Sequence, residues 1–79
     1  MNQNEVYSTF DFPLATTLYY LGFSLEGLEN VGPAKVSFNF KRTPDLDETI
    51  AGYWRKELKV EPAGFLMVQR ELKSRIYSR

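Results

Sequence analysis

The clearest periodic signal in the chain is an alternation. From Lys35 to Lys41 the apolar residues Val36, Phe38 and Phe40 take every second place, with Lys35, Ser37, Asn39 and Lys41 between them. Successive side chains of a strand point to opposite faces, so this segment predicts a strand with one buried and one wet face. Residues 23–30 supply a less regular partner arm, in which Gly27 between Leu25 and Leu28 fits a bulge, and Asn30-Val31-Gly32-Pro33 supplies the turn of a hairpin. Glu5–Phe10, rich in β-branched, aromatic and hydroxylated residues, predicts a shorter strand whose two faces differ only weakly.

Elsewhere the spacing is helical. Leu14, Leu18 and Leu21 form one stripe, with Asp11 as N-cap, Pro13 near the start, and Gly22 placed to close the helix in a left-handed conformation with Phe23 folding back onto it. Thr43-Pro44 opens a second helix whose inward stripe is Leu46, Ile50, Tyr53 and Trp54. Asp45, Asp47 and Glu48 near its start and Arg55 and Lys56 near its end suit the helix dipole. After the link Leu58–Glu61, Pro62 opens a third helix with Phe65, Val68, Leu72 and Ile76 on one face. The order predicts an α+β fold, β-α-β-β-α-α, formed by residues 1–79 as one small domain with residues 1–4 disordered. In it a three-stranded antiparallel sheet has the Val36–Phe40 strand at its centre, and the helices pack on one face, that of Val36, Phe38 and Phe40.

Composition changes the picture by what it removes. Among 79 residues there is no histidine and no cysteine. Those side chains carry most acid/base, thiolate and transition-metal chemistry near neutral pH, and a disulfide framework is excluded as well. The five glycines are scattered and form no phosphate-cradling loop, and no serine or threonine has a histidine to act as its base. The expectation is a non-enzymatic protein without cofactor or bound metal. Asp45, Asp47 and Glu48 are a weak cation set, since all three lie in one first helical turn where the dipole already favours carboxylates. No apolar run approaches the length of a membrane span and no leader pattern precedes the first strand, which predicts a cytoplasmic protein that does not engage a membrane.

Ten basic and ten acidic residues give a net charge of zero, unevenly laid out. Residues 1–34 hold only acids, whereas residues 35–42 (Lys35, Lys41, Arg42) and 62–79 (Arg70, Lys73, Arg75, Arg79 against Glu71) are basic. This layout makes either complementary surfaces within one fold or an exposed basic surface.

Several stretches together resemble a known family: Thr9–Phe23 (TFDFPLATTLYYLGF), Val36–Pro44 (VSFNFKRTP), the Tyr53-Trp54 pair, Leu58–Pro62 (LKVEP) and the closing LKSRIYS. Over about residues 8–78 the chain resembles a family of short bacterial and phage proteins classed as a domain of unknown function. In that family an acidic residue often stands where this chain has Lys41, so the strand end is more basic here. The resemblance implies the fold and transfers no activity.

Two surfaces are candidate sites. The first helix carries no charge after its cap, and Thr16, Tyr19 and Tyr20 point away from its leucine stripe. Uncharged tyrosines on a helix face suit a protein interface, with another chain or with a second copy, unless another element of the same chain covers them. The second is a basic set: Lys35, Lys41 and Arg42 along the strand, with Arg70 and Lys73 on the last helix, positioned for phosphates but without interleaved aromatics on the strand face. Trp54–Val68 also matches the apolar mask of a helix-turn-helix, yet Arg55 and Lys59 stand where that motif wants a small residue and a glycine. The function expected is therefore a protein–protein interaction module or accessory subunit able to form a homo-oligomer. The alternative is a nucleic-acid-binding accessory protein that uses the basic strand face or the C-terminal helix.

Overall fold

The six elements follow the expected order: strand β1 (Val6–Thr9), helix α1 (Phe12–Tyr20), strands β2 (Leu25–Gly32) and β3 (Lys35–Lys41), and helices α2 (Pro44–Trp54) and α3 (Pro62–Tyr77). They are seen in a computed structural model that describes residues 5–77, so the disorder expected of residues 1–4 lies outside the described residues. The strands form one antiparallel sheet in the order β1-β3-β2, with β3 central. The alternation of β3 explains its place. It turns Phe38 and Phe40 into a core shared with Leu14, Ala15 and Leu18 of α1 and Leu46 of α2. Each such large side chain, fully removed from water, contributes on the order of 1.5–3 kcal/mol. The ring of Phe12 stacks on Phe38 with centroids 5.8 Å apart.

Both early helices start on the expected caps. The Asp11 carboxylate accepts the Leu14 N–H at 3.0 Å, and the Thr43 hydroxyl accepts the Leu46 N–H at 3.1 Å. Both also end in the same way. After α1 the Gly22 N–H donates to the Tyr19 carbonyl and the Phe23 N–H to Leu18, with Gly22 at φ 99°. After α2 the Lys56 N–H donates to Tyr53 and the Glu57 N–H to Gly52, with Lys56 at φ 61°. This pair of bonds is the Schellman closure, which satisfies carbonyls that the last turn would otherwise leave open.

Three details differ from the sequence-based expectation. The hairpin turn is Pro33-Ala34, because β2 continues through Asn30 and Val31 by means of a second irregularity between Asn30 and Gly32, beyond the one expected at Gly27. Trp54 is 60% exposed rather than inward: α2 ends there, and two adjacent helical residues, about 100° apart, cannot both face one core. Its ring instead meets Tyr53 edge-on at 4.9 Å. Finally, α2 and α3 pack mainly against α1 rather than against each other, which removes the helix-turn-helix reading of Trp54–Val68.

Candidate binding groove

The uncharged face of α1 is where the structure corrects the sequence analysis most. Thr16 is fully buried and its hydroxyl donates to the Phe12 carbonyl at 2.9 Å. Tyr19 and Tyr20 are half-buried under α3 of the same chain. The Tyr19 hydroxyl donates to Glu71 Oε2 and accepts from Arg75 Nη1, both at 3.2 Å, and the Arg75 guanidinium lies over the Tyr19 ring. The Tyr20 hydroxyl accepts the Glu61 N–H at 3.1 Å, while its ring tilts against Phe65 and passes close to Gly64. A side chain at position 64 would meet that ring at 3.3 Å, so glycine there permits the close crossing of α1 and α3. The face that suited a second chain is thus covered by the third helix. Each tyrosine hydroxyl finds a polar partner on that helix or at its start, which explains how a helix without charges is accommodated.

The basic set is divided. Lys41 and Arg42 stand at one end of β3 and Lys35 at the other, about 20 Å away at the rise of a strand. Arg42 is held locally: its Nε and Nη2 both reach Asp47 Oδ1 at 3.1 Å, and its guanidinium lies over the Tyr7 ring. Between these ends the strand face is not an open polar row. Ser37 is buried, and both Ser8 and Ser37 donate to Asn39 Oδ1, at 2.7 and 3.0 Å. Arg70 is exposed on α3 and takes no part in the groove described next. Asp45 and Glu48 remain on the surface at the start of α2, with Asp47 engaged by Arg42.

Lys35 and Lys73, in contrast, are brought together. They line a half-open groove of about 680 Å³ at the end of the sheet, between the β2–β3 turn and the last turns of α3. The half-buried or buried side chains of Phe12, Val36, Phe38 and Ile76 make its floor. Phe10 (57% exposed), Tyr77 (80% exposed), Pro33 and Ala34 stand on its rim with the two lysines and the Asn30 amide. The Lys35 ammonium sits 5.0 Å from the centre of the Phe10 ring, a cation–π contact that holds the charge at the rim. No carboxylate among the described residues lines the groove. Among the described residues the only ion pairs are Arg42–Asp47 and Arg55–Glu57, so neither lysine is neutralised by a described acid.

Phe10 and Tyr77 are the members that sequence reasoning missed. The pairing of Thr9 with Phe38 and Tyr7 with Phe40 sets which side of β1 faces the core and leaves Phe10 outside, and that register is invisible in a strand with two similar faces. A second, smaller groove of about 410 Å³ lies beside the exposed Trp54, between Thr17, Tyr53, Lys56, Leu58, Val60 and Phe65. There the Tyr53 hydroxyl is pushed above the usual tyrosine range by burial first and by the Asp11 carboxylate second. No described helix is long and apolar enough to cross a membrane.

The fold and its surface define a small α+β domain with three helices over one antiparallel sheet and an apolar, lysine-rimmed groove at one end of it. The family model described as a domain of unknown function (DUF5659) matches residues 4–78, and the chain belongs to that family. Comparison with curated proteins finds no similar one. Comparison with solved structures finds none either.

Proposed function

We propose that this protein is a non-enzymatic interaction module, an accessory subunit of a bacterial or phage assembly in the cytoplasm, which docks a partner protein in the groove between the β2–β3 turn and α3. The observation that carries this reading is the groove itself: an apolar floor open on one side, with two exposed aromatic side chains and two lysines around it. Exposed, rigid aromatics beside a concave apolar floor are the anchors that protein interfaces use. Sheet extension is the weaker route to a partner. The edge strand β1 is four residues long, and the other edge, β2, carries Glu26, Glu29 and two irregularities, all of which discourage edge pairing. The half-open shape also favours a polymer lying across the groove over a small molecule, which a binding pocket mostly encloses.

Nucleic acid is the alternative the groove supports less. It offers stacking surfaces in Phe10 and Tyr77, but only two lysines to phosphates, with Lys41 and Arg42 out of reach. The test is affinity capture from a lysate of the native host, with the wild-type chain beside the double variant Phe10→Asp/Tyr77→Asp. Both positions are exposed, so circular dichroism of the variant should match the wild type. The reading expects one protein retained by the wild type, lost with the variant, and retained after nuclease treatment. Capture that survives the double variant but fails with Trp54→Ala, or that disappears with nuclease, overturns it.

A further inference from the structure

We infer that the segment this groove takes is an extended peptide that combines apolar side chains with one or two carboxylates, an inference that rests on reading the protein as an interaction module. The argument is charge complementarity over an apolar floor. Lys35 comes from the hairpin and Lys73 from α3, so a positive charge stands on each of two walls, and among the described residues no acid lines the space between them. The ammonium of Lys35 is positioned before anything binds by its contact with the Phe10 ring at 5.0 Å, which lowers the entropy lost when it meets a carboxylate. Below the two charges lie the apolar side chains of Phe12, Val36, Phe38 and Ile76. A strongly charged occupant would leave this floor uncovered, and a wholly apolar one would strip water from two ammonium groups without giving them a partner. A peptide with leucine-like or aromatic residues next to Asp or Glu satisfies both requirements.

Selection of a random displayed peptide library on the full chain tests this, followed by binding measurements on the enriched peptides by fluorescence anisotropy. The expected result is enrichment of sequences in which Asp or Glu adjoins large apolar residues. Replacing those carboxylates by amides, or making Lys35→Glu/Lys73→Glu in the protein, should weaken binding by about tenfold, as two partly exposed charge pairs would. Selection on the charge-reversed protein should turn toward Lys- and Arg-containing peptides. Enriched peptides without acids, bound equally by the charge-reversed protein and lost in Phe10→Asp/Tyr77→Asp, would overturn the acidic inference and leave the module reading standing. No groove-dependent peptide, together with a single-stranded oligonucleotide that binds the wild type and not the charge-reversed protein, would overturn both.

Discussion

Two helices of this protein end in the same hydrogen-bonded closure with different residues at its left-handed position, and the difference predicts a matched pair of stability changes. Gly22 closes α1 at φ 99°, and Lys56 closes α2 at φ 61°. An L-residue in the left-handed region costs about 1–2 kcal/mol, because its Cβ approaches the following carbonyl. Glycine escapes that cost but loses about 0.5–1 kcal/mol more conformational entropy on folding. Lys56→Gly should therefore stabilise the protein by about 0.5–1 kcal/mol, the difference between the two terms. Gly22→Ala should destabilise it by about 1 kcal/mol or more, since φ 99° lies further from the conformation other residues reach. The added Cβ at position 22 meets nothing within 4 Å, so that loss would report backbone strain and not a clash. In a domain of this size 1 kcal/mol moves the melting temperature by about 4–8 °C, which gives a rise of about 2–8 °C for Lys56→Gly and a fall of at least about 4 °C for Gly22→Ala. Thermal unfolding followed by circular dichroism, with urea midpoints on the same proteins, reads both. A Lys56→Gly variant no more stable than the wild type, or a Gly22→Ala variant that loses nothing, would refute the reasoning.

Two further predictions follow from the contacts of the tyrosines. Tyr20→Phe keeps the ring against Phe65 and removes the acceptor of the Glu61 N–H, so it should lower stability by about 1 kcal/mol in urea unfolding, whereas Tyr20→Glu should release α3 and cost substantially more. Tyr53 is held neutral to higher pH in the folded chain than in the unfolded one. Below about pH 10 both states keep the phenol proton; above it the unfolded chain loses the proton first, so stability present below that pH declines as pH rises, and Tyr53→Phe should flatten the decline in urea midpoints.

The parts of the fold that were legible in the sequence are those set by local chemistry. Alternation along Lys35–Lys41 marked the central strand, Asp11 and Thr43-Pro44 marked helix starts, and Gly22 marked an end. Lys56 did not mark one, because nothing in a lysine signals a left-handed backbone. The misreadings share a cause of another kind. Helical spacing shows that Tyr19 and Tyr20 form a face, but not which surface covers it; the clue was the Glu71/Arg75 pair one turn apart on α3, which supplies the polar partners for Tyr19. The groove was still less accessible. Phe10, the Pro33-Ala34 turn and the last turns of α3 are distant in sequence, and only the β1–β3 register and the packing of α3 on α1 bring them together. Of the five basic residues considered together, that arrangement unites two, Lys35 and Lys73.

The central claim is that the protein meets its partner at this groove. Site-specific photo-crosslinking addresses it most directly, with a photoreactive phenylalanine at position 10 or 77 compared with the same residue at position 41, at the far end of β3, and at position 54, beside the smaller groove. The account predicts a covalent adduct with one protein from positions 10 and 77 and none from 41 or 54. An adduct from 41 or 54 with 10 and 77 silent would contradict it.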